Sequence, residues 1–210
     1  KEQLRGGVGI FACDEYSVFS DGEPMHLGNS TSGEVWTFAI PKLKIDEKKG
    51  QYNKNGSTTD SWINTQTFMQ VWQSVKAQGL YNNHPWTIKA DPDAVVIADR
   101  LRVHLAPHQD TRTPLYIHNV DCFKDIQVFG ALEVLSRGAV DTYLSLGEDC
   151  VDALDWHGWG EDFYLQHCLD YLGVGHVEDF ALISDNHCKP VSCADASRAA
   201  FHPYKSIKAW

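Results

Sequence analysis

The clearest helical signal in the first half of the chain is a stripe of apolar side chains. Phe68, Val71, Trp72 and Val75 follow one another at spacings of three and four residues, which places them on one face of an α-helix. Polar residues just upstream can cap its start, and Gly79 can end it. The pattern therefore predicts an amphipathic helix.

Short apolar runs between turn residues predict β-strands elsewhere in the chain. These runs cover residues 7–13, 35–40, 86–90, 94–97, 115–117 and 180–183. Further helices are predicted over residues 99–105, 136–146 and 161–172. Because short strands alternate with helices, we expect an α/β fold with a mixed, mostly parallel sheet and helices on both faces.

Two polar stretches interrupt these elements. Residues 28–34 are expected to form a polar loop. Residues 44–61 are expected to form a long surface loop, the best candidate for a mobile element.

Length and charge narrow the class of function. The 210 residues suffice for one α/β domain and are too few for two large ones, so residues 1–210 are expected to form a single domain. The formal net charge of −10 repels nucleic-acid backbones and anionic membrane faces. No apolar stretch is long enough to span a membrane. We therefore expect neither a nucleic-acid partner nor a transmembrane segment, whereas a diphosphate can still bind if a divalent metal bridges it to the protein.

Cysteines and glycosylation signals bear on the compartment. The chain has six cysteines without a C-x-x-C pair, which argues against a zinc ribbon or a thioredoxin-like site. Two sequons begin at Asn29 and Asn55. Together these features favour an oxidising lumenal or extracellular compartment, and the alternative is a cytosolic protein with buried free thiols. Cys188 and Cys193 lie close in one loop-like stretch, but the sequence leaves the pairing open.

The most informative polar motif is Asp91-Pro92-Asp93, which follows an apolar strand. Two carboxylates separated by one residue on extended backbone point to the same side. Ligands of open α/β sheets bind at the carboxyl ends of strands, and carboxylate oxygens suit Mg²⁺ or Mn²⁺. The motif therefore predicts a metal site, with a capped turn that binds no metal as the alternative.

Four segments of the chain, one of which contains this motif, match segments of a known protein family in the same order. They lie at residues 89–102, 130–140, 160–169 and 200–204. The set resembles the GT-A glycosyltransferases of the core-1 β1,3-galactosyltransferase and Fringe group, together with their algal and protist relatives. The resemblance implies a GT-A fold and a sugar-nucleotide donor.

The resemblance also implies roles for residues at the donor site. Asp93, Asp91 and His202 would hold Mn²⁺ or Mg²⁺. Asp91 and Lys89, which share one matching segment, would contact the sugar nucleotide. The plainer interpretation of His202 is a loop histidine.

Two acidic residues are implied in catalysis. Asp162 would be the catalytic base that removes a proton from the acceptor hydroxyl, with Glu161 in support. One base and one displacement imply an inverting transfer. Alternatively, both residues only stabilise the start of a helix, where acidic side chains are favourable.

The chain departs from the family pattern at three places. Pro92 replaces the middle one of three consecutive acidic residues, and Phe129-Gly130 replaces a double glycine. The first recognisable strand, residues 7–13, looks like the second strand of the family, so we expect a domain whose first strand is missing at the amino end.

Two functions follow as expectations. The first is a metal-dependent inverting glycosyltransferase that moves a hexose or N-acetylhexosamine from a UDP-sugar to a glycan or glycoprotein acceptor. The second is a catalytically inactive GT-A-like scaffold, an accessory subunit of a larger, membrane-bound assembly. Pro92 and the missing strand favour the second function, and the intact acidic residues favour the first.

Overall fold

The computed structural model describes residues 1–43, 64–206 and 208 and shows a mixed α/β fold. The predicted surface loop at residues 44–61 lies outside the described residues. Within the described part of the chain, no helix is both long and apolar enough to cross a membrane.

The elements are numbered in chain order. The helices are α1 Glu2–Gly6, α2 Thr65–Gln78, α3 Ala98–Leu105, α4 Arg137–Ala153 and α5 Glu161–Tyr171. The strands are β1 Phe19–Asp21, β2 His26–Ser30, β3 Gly33–Trp36, β4 Phe38–Ile40, β5 Trp86–Ala90, β6 Val95–Val96, β7 Leu115–His118, β8 Leu132–Ser136, β9 Gly175–Glu178, β10 Ile183–Asp185 and β11 Ala200–His202. Short 3₁₀ helices lie at Gly9–Ala12 and Leu80–Asn83.

The main sheet has four strands in the order β5-β8-β7-β9. Strand β8 runs antiparallel to both β5 and β7, and only the β7–β9 pair is parallel. A second sheet has the order β10-β11-β6, with β11 parallel to β10 and antiparallel to β6. The expectation of a mostly parallel sheet is therefore wrong, because strand direction depends on long-range pairing that the alternation of elements does not specify.

Alternating side chains of β8 divide the interior into two cores. Leu135 faces a core built with helices α2, α4 and α5. Leu132 and Val134 face the opposite core, which includes α3 and the strands of the second sheet. The period of two along a strand produces this division, so the main sheet is covered on both faces.

The amino-terminal region differs from the predicted strand at residues 7–13. These residues form a turn that begins at the C-cap of α1, followed by the 3₁₀ helix Gly9–Ala12. Gly7 and Gly9 have φ angles of 58° and 64°, which are incompatible with extended backbone. The match of this segment to the second strand of the GT-A family is therefore wrong.

Several other predicted elements also differ from the observed strands. The predicted loop at residues 28–34 forms most of the β2–β3 hairpin. The predicted strand at residues 35–40 is divided at Thr37, a buried residue whose hydroxyl oxygen accepts a hydrogen bond from the Met25 backbone N–H over 2.7 Å. Strand β9 was not predicted, because only Val177 among its residues is strongly apolar.

The strongest sequence signals are confirmed. Helix α2 carries the predicted apolar stripe and ends at Gly79 in the left-handed conformation. Strand β5 has the predicted bounds. Helix α4 begins after Ser136 and continues beyond its predicted end to Ala153.

Two disulfides are present among the six cysteines. Cys122 bonds Cys188, and Cys150 bonds Cys168 to join α4 to α5. Cys193 carries a free thiol, so its proximity to Cys188 in sequence does not reflect a bond. The two disulfides fit an oxidising compartment.

Ser136 should contribute to stability beyond its role as a helix cap. Its hydroxyl accepts hydrogen bonds from the backbone N–H groups of Ala139 and Leu115 and donates to the carbonyl of Thr113. Replacing Ser136 by Ala leaves the buried Ala139 N–H and two partly buried backbone groups without this partner, so we expect the free energy of unfolding to fall by about 1–3 kcal/mol. Urea denaturation measures this change. Ser145→Ala, at an exposed position of α4, is the control, and an equal effect of both substitutions would contradict the assignment.

Candidate metal centre

The three residues predicted to bind metal meet in the folded chain. Asp91, Asp93 and His202 each offer a ligand atom, and these atoms lie within 4.8 Å of one another. Asp91 and Asp93 lie in the turn between β5 and β6, whereas His202 ends β11. The structure thus brings together groups that are more than 100 residues apart in sequence.

Pairing between β6 and β11 explains this convergence. Phe201 lies opposite Val95 in an antiparallel register, so the end of β11 reaches the turn that precedes β6. The Tyr204 backbone N–H donates to the carbonyl of Asp93 over 2.7 Å and holds the two segments together. His202 Nε2 lies 3.3 Å from Asp93 Oδ1.

The Asp-Pro-Asp segment is a turn, as the plainer interpretation predicted. The Ala94 N–H donates to the carbonyl of Asp91, and the Asp91 N–H donates to the carbonyl of Ala131. The carboxylates take no part in these backbone bonds. The turn is therefore compatible with a metal site.

Asp185 is the functional residue that the sequence analysis missed. It ends β10 opposite His202 in a parallel register, and its Oδ2 lies 2.5 Å from His202 Nδ1. The side chain is buried and also accepts a hydrogen bond from the backbone N–H of His187. A metal-binding histidine ordinarily has a carboxylate partner at its other ring nitrogen. The sequence offered one indication of this role, since Asp185 follows the apolar run at residues 180–183, which was predicted to be a strand.

Opposite charges shift the pKa values of this pair. Burial favours the neutral form of Asp185, but hydrogen bonds from His202 and His187 outweigh burial and lower the pKa of the carboxyl group. Burial also disfavours protonated His202, but the Asp185 carboxylate overcomes it and raises the pKa of the imidazole. Asp185 therefore holds a negative charge behind the ring, while Nε2 faces the Asp93 carboxylate.

Lys89 is a buried cation among carboxylates. Its Nζ lies 2.7 Å from Asp91 Oδ1 and 3.6 Å from Glu133 Oε1, and it also pairs with Glu161. It donates to the Gly130 carbonyl over 3.0 Å. Burial acts to lower the pKa of Lys89, but the surrounding carboxylates prevail and raise it well above its ordinary value. Lys89, which was predicted to contact the sugar nucleotide, is thus engaged in ion pairs with neighbouring carboxylates.

The two glutamates beside Lys89 are deeply buried. Glu161 begins α5, and Glu133 lies opposite Lys89 in the β5–β8 register. Burial raises the pKa of both carboxyl groups, and the charge of Glu133 raises that of Glu161 further, whereas Lys89 opposes both shifts. Glu161 therefore holds Lys89, and its support of Asp162 in catalysis stays a prediction.

Asp162 lies beside the same cluster. It accepts hydrogen bonds from the backbone N–H groups of Gly130 over 3.0 Å and Phe163 over 2.8 Å. Burial raises its pKa, although Lys89 opposes the shift. A carboxylate of raised pKa is a suitable proton acceptor.

A side chain at Gly130 would displace members of this cluster. A Cβ atom at residue 130 would lie 2.8 Å from Glu161 Oε1 and 2.9 Å from Lys89 Nζ. The preceding Phe129 packs against the second core and lies 5.8 Å from the Phe123 ring between centroids. The family pattern has two glycines here, and this chain keeps only the second, Gly130, which lies against the Lys89 and Glu161 side chains.

A cleft of about 990 Å³ opens at the metal centre. Its polar wall includes Lys89, Asp91 and Asp93, and its apolar wall includes Phe68 and Val71 of α2. This volume lies at the upper end of the range for small-molecule sites. Among the described residues, neither His202 nor Asp162 lines the cleft.

The residue types fit a divalent cation such as Mn²⁺ or Mg²⁺. Asp91 and Asp93 supply hard oxygen atoms, and His202 supplies an imidazole that Mn²⁺ accepts. The buried Asp185 partner fixes the orientation of the ring. The centre therefore has a donor set and a supporting group of the kind that metal sites require.

No family model matches the chain, and no curated protein matches it.

Replacing Asp185 by Asn should weaken binding of Mn²⁺ at this centre. The substitution removes the negative charge that orients His202, and loss of such a partner costs about 10–100-fold in metal affinity. Mn²⁺ binding followed by electron paramagnetic resonance measures the change. Asp179→Asn is a matched control, because Asp179 pairs with His104 over 2.6 Å outside the metal centre. Unchanged Mn²⁺ affinity in Asp185→Asn would contradict the supporting role.

Proposed function

We propose that this chain is a GT-A-type, metal-dependent, inverting glycosyltransferase. It would move a hexose or N-acetylhexosamine from a UDP-sugar to a glycan or glycoprotein acceptor. The observation that carries the proposal is the convergence of Asp91, Asp93 and His202, with Asp185 behind His202. The two aspartates of this group line the cleft. The resemblance of four ordered sequence segments to the core-1 galactosyltransferase and Fringe group supports the choice of reaction.

Donor binding would depend on the polar end of the cleft. Asp91, Asp93 and His202 would hold Mn²⁺ or Mg²⁺, and the bound cation would neutralise the charge of a diphosphate. This bridge reconciles a diphosphate ligand with a chain of net charge −10. Lys89 contributes indirectly, because its ion pair holds the Asp91 carboxylate in place.

Asp162 is the proposed general base. The acceptor hydroxyl would transfer its proton to the Asp162 carboxylate while its oxygen bonds to the anomeric carbon and the bond from that carbon to the diphosphate breaks. Hydrogen bonds from two backbone N–H groups orient the carboxylate, and burial raises its pKa. A single displacement of this kind inverts the configuration at the anomeric carbon.

The inactive scaffold is the second candidate, and two observations favour it. Asp91 is engaged by Lys89, and Asp162 is not among the described residues that line the cleft. In such a protein the cleft would bind a partner, and the acidic cluster would only stabilise the fold. The chain would then act as an accessory subunit of a larger assembly.

We propose a lumenal or secreted location for the chain, whether it is a glycosyltransferase or an inactive scaffold. The two disulfides fit an oxidising compartment. Glycan and glycoprotein acceptors would be encountered in the same compartment.

Asp93→Asn should abolish Mn²⁺-dependent binding of UDP. The substitution removes one anionic oxygen ligand, so we expect UDP affinity in the presence of Mn²⁺ to fall at least about tenfold, which corresponds to about 1.4 kcal/mol. Calorimetric titration of UDP with and without Mn²⁺ measures this effect. Asp99→Asn, at an exposed carboxylate of α3, is the control. The donor-site proposal fails if the native chain shows no Mn²⁺-dependent affinity for UDP.

The substitution Asp162→Asn distinguishes the proposed glycosyltransferase from the inactive scaffold. Loss of the general base should lower the rate of sugar transfer by about 10²–10⁴-fold and leave Mn²⁺-dependent UDP binding unchanged. Release of UDP from UDP-galactose and UDP-N-acetylglucosamine, with a panel of glycan acceptors, provides the assay. Turnover in the native chain that persists in Asp162→Asn would exclude this residue as the base. Binding of UDP without turnover on any donor would favour the scaffold.

A further inference from the structure

A second group of metal-binding side chains lies on the main sheet. His118, His176 and Asp170 each offer one ligand atom, and these atoms lie within 4.8 Å of one another. His118 ends β7, His176 belongs to β9, and Asp170 lies in the last turn of α5. None of the three belongs to the centre formed by the Asp-Pro-Asp turn and β11.

Strand register brings the two histidines together. β7 and β9 are parallel, with Tyr116 opposite His176 and His118 opposite Glu178. Because paired residues share a face and alternate residues return to it, Tyr116, His118 and His176 all project from one side of the sheet. Tyr116 also packs in the core that contains α5, which explains how Asp170 reaches this face.

A buried tyrosine orders two of the donor groups. The Tyr116 hydroxyl donates to Asp170 Oδ1 over 2.6 Å and lies 2.8 Å from His118 Nε2. Tyr116 and His118 are only 2% and 3% exposed, so both side chains are fixed by packing. Metal-binding carboxylates and histidines are ordinarily held by such hydrogen bonds.

The other side of the group is open to solvent. Asp170 and His176 are exposed, which provides an entry path for an ion. The imidazole rings of His118 and His176 stack with centroids 3.9 Å apart and planes within 9°. Stacking brings the ring nitrogens close together, and a rotation of the exposed His176 side chain would be needed for both lone pairs to point at one ion.

We propose that His118, His176 and Asp170 form a zinc-binding site. Two imidazoles and one carboxylate are a donor set that Zn²⁺ accepts in tetrahedral geometry, with one position left for water. The donor set differs from that of the first centre, where two carboxylates and one imidazole favour a harder cation.

The packing of the buried His118 ring supports this assignment, because the ring stacks on His176 and lies 2.8 Å from the Tyr116 hydroxyl through Nε2. Zn²⁺ bound here would cross-link β7, β9 and α5 and stabilise the folded chain by mass action.

Zinc titration of a chain that lacks the first centre tests the proposal. The full chain with Asp93→Asn is titrated with ZnCl₂ in competition with a chromophoric chelator. We expect one tightly bound equivalent of Zn²⁺ and an increase in Tm on its addition. Adding His176→Asn should weaken binding at least about tenfold, and should remove most of the Tm increase. His26→Asn, at an exposed histidine of the β2–β3 hairpin, is the matched control and should change neither quantity.

Cobalt substitution provides an independent readout. Co²⁺ should give the visible absorption of a tetrahedral complex in the Asp93→Asn chain, and His176→Asn should remove it. The proposal is overturned if the Asp93→Asn chain binds no Zn²⁺, or if His176→Asn binds it as tightly as its parent. Mn²⁺-dependent UDP binding by the His176→Asn chain reports on the first centre alone, so the two proposals can fail separately.

Discussion

The pairing of β11 with two neighbours is the interaction on which the candidate metal centre depends. β11 lies between β6 and β10, antiparallel to the first and parallel to the second. This arrangement places His202 between Asp93 on one side and Asp185 on the other. A slip of one residue in this register would turn the imidazole to the opposite face of the sheet, so the backbone ladder fixes the chemistry of the centre.

Charge compensation at Lys89 is the second constraint. An isolated buried carboxylate is costly, and here Lys89 is surrounded by Asp91, Glu133 and Glu161. Burial raises the pKa values of both glutamates, and one ammonium group among three carboxylates does not reverse the shift. The cluster links the end of β5 to the start of α5. It thereby connects Asp91, which lines the cleft, to α5, the helix that carries the proposed base Asp162.

The two candidate metal sites use the same structural device with different donors. In each, a strand ends in a histidine, and a buried side chain holds the imidazole: Asp185 for His202 and Tyr116 for His118. The first site borders a cleft large enough for a sugar nucleotide, whereas the second is exposed on the main sheet beside α5. The first therefore suits substrate binding, and the second suits stabilisation of the fold.

The sequence by itself determined the elements whose signal is local. The apolar stripe and Gly79 defined α2, Ser136 marked the start of α4, and the Asp-Pro-Asp segment predicted a metal site or a turn after β5. His202 was implied by the family resemblance and not by a local pattern. Only the tertiary structure decided strand direction, the disulfide pairing and the roles of Asp185 and Glu133, because each depends on partners far away in the chain. The predicted strand at residues 7–13 failed because apolar composition does not report backbone handedness at glycines, whose φ angles the surrounding packing sets.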